Sequence, residues 1–351
     1  FNFLPVMRKL LFLFISFVLT LSAFAEKDKF AGFYTGTVSG AKGYPLGSDP
    51  VIYAEVFKGA NGYRVKLLPA IMANAETYYL VDGLKEENGK LSFANKSNGL
   101  DLKGEITPAT LKASGTQSTG KNVHNVSIDL KRLNFVSKTM GMKAPAGAVV
   151  IFDGKDTSKL EERNGKPCRW EVANGAMTVK TGLKDEKGKR IDTSIFTKDK
   201  FGAFKMHLEF MIPNEGYEKD AQARNNSGVI VGPYEVQILD SFGMPNLWNG
   251  CGAIYRQTAP QCNASIEQGA WQTYDIIFRP AEFANGRLVK YPTFTVWHNG
   301  IKIHNETPVF YQTSLFPTKA KGYEHPTGPF SIQLQDHTNP ISFRNFWVMP
   351  L

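Results

Sequence analysis

The chain has 351 residues, 41 Lys and Arg against 32 Asp and Glu, a formal net charge of +9 and 42% apolar residues. That length suits two domains with sizeable cores. The basic residues are interspersed with acids, as in "TGLKDEKGKR" (181–190), and no basic stripe interleaved with aromatics occurs, which argues against nucleic acid as a partner.

Met7–Ala25, "MRKLLFLFISFVLTLSAFA", places Arg8 and Lys9 ahead of an apolar run ending Ala23-Phe24-Ala25. This is the layout of a secretory signal peptide, with Met7 the expected start, residues 1–6 upstream of it, and cleavage expected after Ala25. The apolar run is short for a membrane span, and no Cys follows Ala25 to accept a lipid. The expectation is therefore an exported, periplasmic or extracellular protein with no integral membrane span once the signal is removed. Removal takes two basic residues and no acids, so +9 − 2 leaves +7 on 351 − 25 = 326 residues. The remaining basic balance serves solubility or weak attraction to an anionic envelope.

Along the mature chain no stretch sustains a 3.6-residue apolar period, whereas alternation recurs throughout. Residues 26–140 carry short strands, "GYRVKLL" (62–68), "KLSFAN" (90–95), "LDLKGEI" (100–106) and "HNVSIDLKRL" (124–133), separated by Gly and Asn turns. They predict a small antiparallel β domain to which no chemistry is assigned. "MGMKAPAGAVV" (140–150) is the expected joint.

Residues 148–351 read as a second β domain. "AFKMHLEFMI" (203–212) alternates Phe204, Met206, Leu208 and Phe210 with Lys205, His207 and Glu209, and "WQTYDIIF" (271–278) is another strand. "TFTVWHNGIKIHNE" (293–306) predicts a hairpin on a type I′ Asn299-Gly300 turn. "FSIQLQDHTNPISFRNFWVMPL" (330–351) predicts a second hairpin. Many strands without helices between them argue for an antiparallel β-sandwich of jelly-roll type, so the fold class is all-β in both parts.

Two strands carry unusual polar faces. In "GPYEVQILDSFG" (232–243), Tyr234, Val236 and Ile238 make an apolar face, while Glu235 and Gln237 lie opposite and Asp240 follows. In "SIQLQDH" (331–337), Ile332 and Leu334 oppose Gln333, Gln335 and His337. Solvated strand faces favour long charged and β-branched side chains; rows of amides with titratable groups read as hydrogen-bonding floors, although an ordinary solvated face fits the pattern too. Of the three cysteines, Cys251 and Cys262 would close a short loop in an exported protein and are read as a bridged pair. Cys168 is left over as a small buried hydrophobe. No CxxC or His/Cys cluster marks a zinc site; no cofactor is expected, and a metal requirement and protein partners stay open.

Residues 148–351 resemble the 3-keto-disaccharide hydrolase domain, formerly a domain of unknown function, with a concanavalin A-like jelly roll. The matching pieces occur in order: "VVIFDGKDTSKLE", "WEVANGAMTVK", "FGAFKMHLEF", "NNSGVIV", "YEVQILD", "GAIY", "WQTYDIIF", "VWHNGIKI" and "GPFSIQLQDHTNPISFRNFWVMPL". The first domain is similar to β-rich N-terminal extensions of some members. Laminarinase-like glycosidases of this sandwich class carry Glu-x-Asp-x-x-Glu on a catalytic strand. Glu235-x-Gln237-x-x-Asp240 copies that spacing with an amide in the middle, and a bulge at 238–239 is expected to turn Asp240 into the cleft.

The resemblance implies a carbohydrate substrate and a glycoside-cleaving enzyme. A ketone at C3 acidifies the C2 proton, so cleavage can run by proton abstraction and elimination, then hydration. Glu235, Asp240 and His337 are the catalytic candidates, His337 as proton shuttle. Gln237 and Gln335 line the floor, Arg344 steadies the enolate, and Asn226 takes a place at the cleft. Trp248 and Tyr255 are loop aromatics suited to stacking on a sugar ring. Two other readings remain: a non-catalytic, lectin-like carbohydrate-binding protein, and an ordinary β-glucan hydrolase, which Gln237 weakens.

Overall fold

A computed structural model describes residues 27–48, 51–219, 221–315 and 323–351; the expected signal peptide lies outside them. Among the described residues there is no α-helix, and the only helical turns are 3₁₀ segments at Arg163–Gly165 and Ala221–Ala223. The all-β expectation holds, and among the described residues no helix is long and apolar enough to cross a membrane.

Nine antiparallel strands between Gly32 and Leu133 form the first sheet. Its alternation is regular: in Leu100–Ile106 the residues Leu100, Leu102 and Ile106 face inward while Asp101, Lys103 and Glu105 face water. Tyr34, Ile52, Val65, Tyr79, Leu91 and Leu130 fill the interior. The sheet curls toward a barrel, because Asn95 Nδ2 donates to Leu80 O (2.9 Å) and Tyr79 Oη to Asn95 O (3.2 Å) across its open ends.

The rest of the chain builds a sandwich. The large sheet has eight strands, among them Phe204–Met211, Trp271–Arg279, Thr293–His298, Ile301–Pro308 and Ser342–Pro350. The small sheet orders Leu160–Glu162, Ile195–Thr197, Ile332–Leu334, Asn226–Val231 and Tyr234–Leu239. The inner faces meet in one core: Phe204, Met206, Leu208 and Phe210 from the large sheet, Tyr234, Val236, Ile238, Ile332 and Leu334 from the small one. Each such fully buried side chain contributes roughly 1.5–3 kcal/mol. The strand registers therefore follow the apolar alternation. Asn299 and Gly300 have φ of 52° and 78°, the left-handed pair that a type I′ hairpin demands.

Two expectations need correction. The closing stretch is not a hairpin: Ile332–Leu334 pairs with Ile195–Thr197 and Asn226–Val231, whereas Ser342–Pro350 pairs with Phe204–Met211 in the other sheet. Both strands satisfy their apolar faces in the same core from opposite sides, which alternation cannot distinguish. The three cysteines are free. The 251–262 loop does not close on itself, because Gly252 N and Tyr255 N bond along Tyr234–Leu239 while Gln261 N bonds Ile303 O. Cys251 Sγ instead lies 3.2 Å from Tyr274 Oη, and Cys168 is half-buried against the core.

Candidate active site

The small sheet turns its second face away from the core, and cross-strand pairs show which residues share it. Gly228 pairs with Gln237, Ile230 with Glu235, and Gln333 with both Ile230 and Phe196. Beyond Tyr234–Leu239 the 252–255 segment runs as a further short partner, with Gln237 N to Ala253 O at 2.9 Å and Tyr255 N to Glu235 O at 3.0 Å. The acidic strand is thus an interior strand, and all six of its residues are buried.

Glu235 is 5% exposed. Its side chain leans over Gly228, where an added Cβ would overlap Glu235 Oε1, so the glycine makes room for the carboxyl. Burial pushes this carboxyl up to about 7, because it disfavours the charged form. A carboxyl held near neutrality in a strand face is fit for proton transfer.

Around it lies a floor of amides. Gln237 Nε2 donates to Gln222 Oε1 (2.9 Å), and Asn226 Nδ2 donates to Gln222 O (2.9 Å) and Oε1 (3.2 Å). Gln335 N donates to Gly228 O (3.1 Å), which brings the second polar row beside the first. Gln237 Oε1, Asn226 Oδ1 and Gln335 Oε1 are buried with no hydrogen-bond partner among the described residues. Each such unsatisfied group costs about 1–3 kcal/mol. Three on one floor, beside a raised carboxyl, leave acceptors open to donors from outside the chain.

Gln222 was not legible in the sequence, since "KDAQARNNSG" reads as a polar loop. That loop is held by the first sheet. Arg224 stacks over Phe57 (4.9 Å), donates to Lys58 O (3.1 Å), and pairs through Nε with Asp240 Oδ2 (2.6 Å). Lys58 in turn lies 4.2 Å over Tyr217. The first sheet thereby props the segment that carries Gln222 to Gln237.

The remaining expected site residues separate. The register from Asn226↔Leu239 to Val231↔Tyr234 runs without a bulge, so Asp240 is not turned toward Glu235. It sits instead at the junction with the first sheet, bonded to Arg224 and Gln268 beside Asp28, Ala31, Phe57 and Lys58. The missing bulge and the buried ion pair are the physical reasons. His337 is exposed in the bend after Ile332–Leu334. Tyr255 is 8% exposed at the edge of the floor, and Trp248 is 43% exposed with the Arg256 guanidinium 4.6 Å over its ring.

Arg344 belongs to the opposite, outer face of the large sheet. There His207 Nδ1 meets Asp275 Oδ1 (2.9 Å) and Nε2 meets Glu209 Oε1 (3.4 Å). Glu209 also accepts from Arg344 Nε (2.6 Å), Asn345 Nδ2 (2.8 Å) and Gly141 N (2.6 Å). Burial opposes charge on Glu209, yet the bonds from His207, Asn345, Arg344 and Gly141 win and hold it down at about 2. Burial likewise opposes charge on His207, but Asp275 and Glu209 raise it above the usual imidazole range. The 137–142 segment covers this network, with Thr139 Oγ1 on Asp275 Oδ2 (2.7 Å) and Trp347 Nε1 on Met142 O (3.2 Å). The cluster fastens the stretch joining the first sheet to the sandwich, and Gly141, Glu209, Arg344, Asn345 and Trp347 also line a cavity of about 430 Å³.

The family model for the 3-keto-alpha-glucoside-1,2-lyase-like domain matches residues 147–349. A candidate glycosyl hydrolase of Parabacteroides distasonis superposes with TM-score 0.52 at 36% identity, over 60% of this chain and 86% of that one. A second from the same organism overlaps with TM-score 0.40 at 20% identity, over 58% and 94%. An alginate lyase overlaps with TM-score 0.35 at 9% identity, over 59% and 98%. No curated protein matches the chain.

Proposed function

Since the chain belongs to the 3-keto-alpha-glucoside-1,2-lyase-like family, we propose that it cleaves 3-keto-glycosides on the outer face of the small sheet, with Glu235 as the base. The observation that carries this reading is the Glu235 carboxyl, buried over Gly228, raised to about 7, and set among three amide oxygens in want of donors.

The chemistry follows from the ketone. Glu235 takes the C2 proton, whose acidity the C3 carbonyl supplies, and the negative charge spreads onto the carbonyl oxygen. The C1–O bond then breaks, and the leaving oxygen takes a proton. Water adds across the resulting C1=C2 bond, its hydroxyl to C1 and a proton to C2, so the sum is hydrolysis. Gln237, Gln335 and Asn226 accept from sugar hydroxyls and orient the ring. His337, two residues past Gln335 in the exposed bend, is proposed to reach in and protonate the leaving oxygen. The reading includes export with cleavage after Ala25, which mass spectrometry checks by finding Glu26 at the mature N-terminus.

The deciding experiment compares a 3-keto disaccharide with its unoxidised counterpart in D₂O. Release of monosaccharide from the keto form alone, with deuterium at C2 above background ketone exchange, is expected. Cleavage without C2 label would discard the elimination route. Equal cleavage of the unoxidised sugar would return the site to a conventional hydrolase.

A further inference from the structure

The register of the small sheet lines up one row across five strands and the flanking loop. Tyr255 stands beside Glu235, Glu235 beside Ile230, Ile230 beside Gln333, Gln333 beside Phe196, and Phe196 beside Glu161. Paired residues share a face, so this row crosses the proposed site at right angles to the strands. Ile230, Gln333 and Phe196 are each only half-buried on that face, whereas their strand neighbours Val229, Leu334 and Ile195 are sunk in the core.

The row is lopsided. On one side of Glu235 it reaches Tyr255 in a single step, and the loop with Trp248 and Arg256 stands beyond. On the other side it runs three strand steps, about 14 Å at roughly 4.8 Å per strand, to the half-buried ring of Phe196. The Arg163 guanidinium lies over that ring, 5.4 Å from its centroid, on a largely exposed side chain that also pairs with Asp192 (3.9 Å) and has to swing aside to bare the ring face. A ring bound at Glu235 does not reach Phe196. An aromatic plate with a flexible donor beside it recognises a sugar ring, the plate taking the apolar C–H face and the donor the hydroxyl edge.

We propose that Phe196 and Arg163 form a second sugar-binding position, so that an oligosaccharide lies across the strands with its reacting end toward Tyr255 and its remaining residues over Ile230, Gln333 and Phe196. This rests on Glu235 marking the reacting ring. The site then selects glycans longer than a disaccharide by their distal residue.

Calorimetric titration of the full-chain Glu235→Gln variant with unoxidised gluco-oligosaccharides, from glucose to the tetrasaccharide, tests it. Affinity should climb at the length that reaches Phe196. Adding Phe196→Ala should remove that climb, about tenfold, and leave disaccharide affinity unchanged, while Phe196→Tyr restores it. Arg163→Ala, on an exposed side chain, should blunt the climb without affecting the fold. Equal affinity at every length, no binding at any length, or a climb indifferent to Phe196 and Arg163 would each overturn the position. The D₂O experiment uses a disaccharide that does not reach Phe196, so failure of the elimination chemistry would leave a length-dependent climb intact.

Discussion

The sandwich carries two buried polar clusters, one on the outer face of each sheet, and they differ in what they leave over. On the large sheet, Glu209 has His207, Arg344, Asn345 and Gly141 N, and Asp275 has His207 and Thr139. Its carboxylate is held at about 2, its imidazole is raised, and the 137–142 segment is bonded to it. On the small sheet, Glu235 is raised to about 7 by burial, and three neighbouring amide oxygens lack donors among the described residues. The first is rich in titratable groups whose polar atoms are paired, although Glu209, Arg344 and Asn345 also line a cavity of about 430 Å³. The second holds one buried carboxyl among amides with acceptors left over, and on the proposed reading that leftover capacity marks it as the site.

The strongest way to break this contrast is at Glu235. Glu235→Gln should lower turnover of a 3-keto glycoside by about 10²–10⁴-fold. In the unaltered protein, activity should rise with pH through about 7, as the base ionises. Full activity in the variant would remove the site. Glu209→Gln should act in the opposite way, destabilising the fold by about 3–5 kcal/mol at neutral pH because His207 and Arg344 lose their partner, with turnover of the folded fraction unchanged. A carboxyl depressed on folding stabilises above its unfolded value near 4.5, and loses that contribution as pH falls toward about 2. The variant's deficit in denaturant melts should therefore shrink across that acid window.

Glu235 has the reverse sign. A carboxyl raised on folding costs stability above about 7 and nothing below about 4.5. Glu235→Gln should thus melt later than the unaltered protein at pH 8, by up to about 3 kcal/mol, and equally at pH 4. A variant less stable at pH 8 would mean that Glu235 is a structural carboxyl after all. The smallest expected effect is at Gly228. Gly228→Ala forces the Glu235 carboxyl aside and should cost turnover by tenfold to about 10²-fold. Melting should change little, since the overlapping atom is the end of a side chain. An unchanged rate would show that the carboxyl's seat over the glycine is dispensable.

Much of this architecture was legible in residue order. Alternation in Tyr234–Leu239, Ile332–Leu334 and Phe204–Met211 determined which side chains enter the core, because a one-residue slip would turn every apolar group to water. Asn299-Gly300 determined a hairpin, because only such residues take two left-handed positions cheaply. The odd chemistry of Glu235, Gln237 and Gln335 was visible for the same reason: a period of two sorts faces without reference to neighbours. Partners were not visible. Alternation is blind to which sheet a strand joins, so 330–351 read as a hairpin although its two strands lie in opposite sheets. That placement sends Arg344 to Glu209 rather than to Glu235. Spacing alone brought Asp240 into the cleft, whereas a strand without a bulge and an arginine propped by the first sheet carry it to the junction. Whether a carboxyl is a base or half of an ion pair depends on the groups within about 4 Å of it. Glu209 takes Gly141, Arg344 and Asn345, and Asp240 takes Arg224 and Gln268, from other segments, whereas among the described residues Glu235 has only its seat over Gly228 on the neighbouring strand.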